Sequence, residues 1–219
     1  MKVCTVILTY DSPLYNHFDN IKRKYLTKHN EEFYFLYNGL DNTKHNIDNR
    51  QLNYYSNEGL IPVMYNKFID LIDKNFFVDY DYVIRCNSST FINIELIKKF
   101  ISSNNSKELY MGSYEPDWDF ISGTCCVFSQ DILQRLNILR HHTNLQNFIE
   151  DDVVIGKILT AAGVKKTHLD MYKFDSYKEQ PTVEAIKESL KYPLIRVRND
   201  FNREHIDTFI WDKIAEIMC

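Results

Sequence analysis

With 219 residues, 44% of them hydrophobic and 14% aromatic, the chain can bury one substantial core, and no Pro/Gly/Ser-rich stretch or charge run marks a linker. A single domain over residues 1–219 is therefore expected. The net charge of −4, with lysines scattered among acidic residues, argues against nucleic acid as a partner. Cys4, Cys86, Cys125, Cys126 and Cys219 are odd in number and lack CxxC spacing, which points to a reducing compartment. Inside an apolar strand, the pair Cys125-Cys126 reads as small buried core.

The run Met1 to Thr9 is too short and too early for a signal sequence and reads as a first buried strand. No stretch of the sequence is apolar enough to span a membrane, and a cytoplasmic location is the expectation. Tyr10 to Pro13 is a polar turn. Tyr15 to His29 then carries Phe18, Ile21, Tyr25 and Leu26 at helical spacing. Glu32 to Tyr37 is a second strand, Asn38 to Asn49 a polar loop and Leu52 to Tyr55 a weaker strand. A helix over Ile61 to Lys74 puts Ile61, Met64, Phe68, Ile69 and Ile72 on one face.

The stretch Asp79 to Asn93 carries the strongest site signal. Tyr82, Val83 and Ile84 are β-formers, and the strand ends abruptly in Asn87-Ser88-Ser89. In an open α/β sheet ligands bind at the carboxyl ends of strands, where this cluster falls. Ile94 to Ser103 is a short helix. Leu109 to Gly112 and Thr124 to Ser129 are strands, with Tyr114 to Asp119 as the loop between them. Gln130 to Arg140 is helical. A further helix over Asp152 to Ala162 begins with acidic residues and stops at Gly163. Val164 to Leu169 and Leu194 to Arg198 are late strands, and Asn202 to Met218 closes the chain as an amphipathic helix. Alternating strands and helices predict an α/β layer fold.

The six glycines include no GxGxxG and no GxxxxGK, so neither a dinucleotide fingerprint nor a P-loop is present. There is no HExxH among the seven histidines and no GxSxG, and His141-His142 read as solvated surface. What remains is a set of carboxylates at strand and helix ends: Asp79 and Asp81, Asp117 and Asp119, and Glu150-Asp151-Asp152.

Three ordered blocks, Tyr80 to Asn93, Phe120 to Ser129 and Ile149 to Gly156, resemble those of the GT-A glycosyltransferases. The pattern is similar to the β1,3-glycosyltransferase and Fringe type and to the small enzymes of large DNA viruses. The resemblance implies a Rossmann-like, mixed but mainly parallel sheet flanked by helices. It also implies a nucleotide-sugar donor, a UDP-sugar in first place, and inverting transfer to a hydroxyl on a glycan or protein. By the same resemblance Thr9, Tyr10 and Asp11 meet the base and ribose, while Arg85 with Asn87, Ser88 and Ser89 lies near the diphosphate. A metal ion or fixed cations must neutralise it, and Arg196 and Arg198, followed by Arg203, are the candidate cations, exposed surface being the other reading of each. Asp152, with Asp151 next, matches the acidic residue that deprotonates the acceptor; N-terminal capping of a helix is the other reading of this pair. Trp118 and Asp119, followed by Ser122 and Gly123, stand where the acceptor sugar is held, although Trp118 reads equally as a buried loop anchor.

The family's Asp-x-Asp metal motif falls on Asn87-Ser88-Ser89, a departure that leaves Asn87 and Ser89 as weak ligands for Mn²⁺ or Mg²⁺. Asp79 and Asp81 have the spacing but precede the strand. His168 and His205 are the nearest alternatives to a C-terminal metal-binding histidine. The departure keeps open a second reading, a catalytically silent GT-A-like module that binds a glycan or a protein.

Overall fold

The computed structural model describes residues 1–39, 51–55, 68–69, 71–104, 107–117, 119–140 and 151–219. Strands β1 (Val3–Tyr10), β2 (Glu32–Gly39), β3 (Gln51–Tyr55), β4 (Tyr82–Asn87), β6 (Tyr110–Glu115), β7 (Phe120–Ser129) and β8 (Lys166–His168) form one sheet, in the order β3-β2-β1-β4-β7-β6-β8. All neighbours are parallel except at β7, which runs antiparallel to both β4 and β6. A second sheet, β5-β10-β9, joins β5 (Thr90–Ile92), β9 (Met171–Lys173) and β10 (Leu194–Arg196).

The sheet is covered on both faces, which is why β1 is an almost continuous apolar run, buried from Val3 to Thr9. Alternation along β4 sends Tyr82, Ile84 and Cys86 into one core and Val83 into the other. The first core gathers α1 (Pro13–Lys28), α2 (Ile94–Ser103), α5 (Val183–Ser189), α6 (Thr208–Met218) and the small sheet. The second gathers helical residues 68–69 and 71–73, α3 (Gln130–Leu139) and α4 (Asp151–Ala161). Ser12 caps α1 by accepting the Tyr15 N–H at 3.3 Å, with Pro13 in the first turn. Gly163, at φ 74°, ends α4 in the left-handed region that glycine alone enters freely.

Several boundaries differ from the sequence reading. β6 runs to Glu115 and β7 starts at Phe120, so the expected loop shrinks to a hairpin tip. The last helix opens with a π-helical turn, Arg203–Asp207, before α6. β5, β9 and α5 are additional elements, each too short to show a period. Of the helix expected over Ile61 to Lys74, only residues 68–69 and 71–73 are described as helical. Most of the Asn38 to Asn49 loop, Trp118, His141, His142 and Glu150 lie outside the described residues. Cys125 and Cys126 are buried, free and close to the sheet centre, and burial pushes the Cys126 thiol up to about 12, so it is inert core. Among the described residues no helix is long and apolar enough to cross a membrane.

Candidate functional site

Cys86 pairs with Cys125 across the β4–β7 ladder, so the first residues of antiparallel β7 lie beside the carboxyl end of β4. This edge collects the candidate residues. Arg85 points into the α4 face, where it is 2% exposed. Its Nη1 donates to the Gly123 carbonyl at 2.5 Å, and its Nη2 donates to Asp151 Oδ2. The Gly123 N–H in turn donates to Asp152 Oδ2 at 2.5 Å, and Asp152 Oδ1 accepts the Val153 N–H at 2.9 Å. One residue of β7 thus holds Asp152 directly and Asp151 through Arg85.

Glycine at 123 makes room for this arrangement, because a Cβ there would lie 2.7 Å from Arg85 Nη1 and 2.9 Å from Asp152 Oδ2, and one of those side chains would have to shift. One helical turn on, a Cβ at Gly156 would meet Phe120 Cβ at 2.5 Å, so this glycine lets α4 approach β7 closely. Burial pushes the Asp151 carboxyl up, and the Arg85 guanidinium opposes that push. Asp152 is half-buried and also lies within electrostatic reach of Arg85.

A second network lies under the Asn87-Ser88 turn. Thr9 Oγ1 donates to Asp19 Oδ2 at 2.5 Å, and Ser88 Oγ donates to Asp19 Oδ1 at 2.6 Å. Lys22 Nζ donates to the carbonyls of Asn87 at 2.8 Å and Ser88 at 2.7 Å. Asp19 and Lys22, both buried on α1, therefore fasten the carboxyl ends of β1 and β4 to each other. Burial pushes the Asp19 carboxyl up and the Lys22 ammonium down. The sequence reading did not single out either residue. Their signal was a charge on the apolar stripe of α1, with Lys22 four residues after Phe18.

A third group approaches the same turn from the C-terminal part of the chain. The Val197 N–H donates to the Ser89 carbonyl at 2.8 Å, and Arg196 stands opposite Thr90 in the β10–β5 ladder. Arg196 is half-buried and Arg198 is exposed. Arg203 donates from Nε to Asp207 Oδ2 at 3.0 Å and from Nη1 to the Tyr15 hydroxyl at 3.1 Å.

The remaining residues are distributed as follows. Thr9 is buried, and its hydroxyl is spent on Asp19. Tyr10 is 55% exposed just before Asp11, whose Oδ1 accepts from Asn16 Nδ2 at 3.0 Å. Asp119 occupies the β6–β7 tip and accepts from Tyr114 Oη at 2.8 Å and Lys166 Nζ at 2.9 Å. Ser122 Oγ accepts from the Thr124 hydroxyl at 3.2 Å. Arg85, expected near the diphosphate, has protein partners on its own face of the sheet. Strand alternation turns its side chain into the α4 face, where Gly123 and Asp151 occupy it.

Among the described residues, those expected to hold Mn²⁺ or Mg²⁺ do not fit the ion. Among the described residues no three His, Cys, Asp or Glu side chains come together as a metal-binding group. Asn87 and Ser89 bring neutral oxygens only, and the Ser88 hydroxyl between them is committed to Asp19. Asp81 stands at the opposite end of β4, where it accepts the Lys2 N–H at 2.6 Å, and Asp79 precedes it in the same turn region. His168 accepts the Tyr114 N–H, and His205 pairs with Gln180.

A mainly parallel sheet of this order, interrupted by one antiparallel strand and carrying a polar site at its carboxyl edge, defines the GT-A fold. No family model and no curated protein matches the sequence. Among solved structures the chain is similar to a glycosyltransferase involved in the glycosylation of the major capsid of PBCV-1, with a TM-score of 0.57 and 15% identity over 94% of this chain and 98% of that one. It is also similar to LgtC, with a TM-score of 0.52 and 7% identity over 98% of this chain and 96% of that one. The catalytic domain of Drosophila β1,4-galactosyltransferase 7 gives a TM-score of 0.50 and 11% identity over 94% of this chain and 73% of that one. These likenesses are of fold.

Proposed function

We propose that the chain is a glycosyltransferase that moves a sugar from a nucleotide-sugar, a UDP-sugar in first place, to a hydroxyl on a glycan or protein acceptor with inversion. The observation that carries this reading is the placing of Asp152, held through Oδ2 by the Gly123 N–H at the carboxyl edge of the sheet. Arg85 is ion-paired with the neighbouring Asp151, so Asp152 is the carboxylate read here as the base. In the reaction the acceptor hydroxyl gives its proton to Asp152 while its oxygen forms a bond to the anomeric carbon. The bond from that carbon to the phosphate oxygen breaks, and the nucleoside diphosphate leaves with the electron pair. Tyr10 and Asp11 would meet the base and ribose, and Ser122 and Gly123 would line the acceptor side.

Calorimetric titration with UDP, GDP and common UDP-sugars, followed by an assay of UDP release with an acceptor pool, tests the reading. Failure of every nucleotide to bind at millimolar concentration would sink it. The carboxylate-free Asn87-Ser88-Ser89 turn favours a second reading, a catalytically silent module that binds a glycan or protein. Nucleotide binding without turnover across a wide acceptor set would select that one.

A further inference from the structure

We propose that Arg196, Arg198 and Arg203 form the donor's diphosphate site and that this site binds without a divalent cation, an inference that rests on the glycosyltransferase reading above. The charge balance of the cluster motivates it. Among the described residues Arg196 and Arg198 have no hydrogen-bonding or ion-pair partner, although each guanidinium carries five N–H donors. Arg203 has one carboxylate, Asp207, and its Nη2 is buried with no partner. Arg196 is pushed down first by burial and then by Arg198, with Arg203 adding to the push and Asp175 and Tyr15 opposing it. Asp175 and Asp207 are the carboxylates acting on this cluster of three cations, and a diphosphate adds pairs of anionic oxygens that a planar guanidinium fork can bind bidentately.

Position selects the diphosphate over other anions. The Val197 N–H to Ser89 carbonyl bond docks the arginine-bearing strand on the turn that ends β4. Tyr15 brings the first turn of α1, which follows β1, to Arg203. The cluster therefore borders the carboxyl ends of β1 and β4, where an open α/β sheet holds a nucleotide.

The segment is built to hold its shape. The Asn199 N–H donates to Asp207 Oδ1 at 2.9 Å, and its side-chain Nδ2 donates to the Tyr177 carbonyl at 2.6 Å. Its Oδ1 accepts the N–H groups of Phe201 at 2.8 Å and Asn202 at 2.9 Å. One asparagine thus fixes the backbone between Arg198 and Arg203. Preorganised cations of this kind stabilise a leaving diphosphate without reorganising during the reaction.

The test is calorimetric titration of the full chain with UDP, GDP and inorganic pyrophosphate, in EDTA and again with Mn²⁺. UDP or GDP should bind in EDTA within about 3-fold of its affinity with Mn²⁺, and Arg198→Ala should weaken that binding about 10- to 100-fold, as expected for loss of charge-assisted hydrogen bonds. Arg198→Lys, which keeps the charge but loses the fork, should fall between the two. Arg198 is exposed, so an unchanged thermal midpoint in both variants excludes misfolding as the cause. Nucleotide binding that requires Mn²⁺, or that both variants retain at wild-type strength, overturns the inference and leaves the glycosyltransferase reading standing. Pyrophosphate binding in EDTA that Arg198→Ala abolishes, with no nucleotide bound, supports the anion site and sinks the glycosyltransferase reading. No binding of any probe overturns both.

Discussion

Arg85 and Asp151 form an ion pair beneath β7 in which the guanidinium is 2% exposed and the carboxylate 13%, and the same guanidinium holds the Gly123 carbonyl. The pair therefore ties the start of α4 to the start of β7, and the position of the neighbouring Asp152 depends on it. Removing one partner strands the other charge in a dry environment. Arg85→Met should cost about 3–5 kcal/mol, the usual consequence of breaking a buried pair. Replacing both, as Arg85→Met with Asp151→Leu, should recover much of that loss, because no buried charge remains. Urea denaturation of the two variants reads the difference directly. Equal destabilisation by the single and double changes would show that the ion pair is not what holds this junction.

Gly123→Ala places a methyl where there is no room, 2.7 Å from Arg85 Nη1 and 2.9 Å from Asp152 Oδ2. The obstacle is steric. Either β7 or the Asp152 side chain must shift, with an overpacking cost of about 1–3 kcal/mol. Sugar transfer should fall further than stability does, since a misplaced base loses its reach. A thermal melt and a UDP-release assay on the same preparation separate the two effects, and unchanged transfer would detach Gly123 from the site.

The sheet and the acidic start of α4 were legible in the sequence because they rest on local patterns. β1 and β4 are apolar runs ending in polar turns, and Gly163 punctuates α4 where it stops. Side-chain roles set by the tertiary fold were not legible. Whether Arg85 faces the ligand edge or α4 depends on which face of β4 it occupies and on β7 being its antiparallel neighbour, and neither follows from the residue itself. Asp19 and Lys22 were missed because an amphipathic reading counts the apolar members of a stripe and passes over a charge that interrupts it. β5, β9 and α5 escaped for want of length.

Lys22→Met tests the missed network. It removes the hydrogen bonds to the carbonyls of Asn87 and Ser88 and takes from buried Asp19 its main counter-charge, leaving the Thr9 and Ser88 hydroxyls and the weaker pull of Arg23. A loss of about 3 kcal/mol is expected from the uncompensated carboxylate. Asp19→Asn with Lys22→Met removes both charges and should recover part of the loss. If the network also positions the turn, the double variant should still bind nucleotide more weakly than wild type when both are fully folded. Wild-type affinity would make the network purely structural.

Asp119 offers a pH signature at the β6–β7 tip. Lys166, and then Tyr114, hold its carboxyl below the usual carboxylate range. A depressed folded-state value means that the contribution to stability is present above the unfolded pKa of about 3.9 and disappears as pH falls through the folded value. Because the group is exposed, the effect is small. Urea midpoints from pH 6 to pH 2 should fall less steeply at the acid end for Asp119→Asn than for wild type. Superimposable profiles would show that the tip adds nothing to folding.

Asp152 and Asp151 are adjacent, yet the structure gives them different partners, so their asparagine variants should fail in different ways. Asp152→Asn keeps an oxygen that can accept the Gly123 N–H but has no basicity, and its Nδ2 cannot replace Oδ1 as acceptor for Val153. Folding should survive with a modest loss at the helix start, and nucleotide affinity should stay near wild type. Transfer should fall about 10²–10⁴-fold, the contribution of a positioned base. Asp151→Asn leaves Arg85 buried without its counter-charge, so it should lower the melting temperature clearly and reduce transfer less. Each variant needs a melt, a nucleotide titration and a single-turnover transfer assay. If Asp151→Asn abolishes transfer while Asp152→Asn spares it, the base is Asp151 and Arg85 tunes it. Near wild-type transfer in both variants would reduce the acidic start of α4 to a helix cap and remove the inverting mechanism from this site.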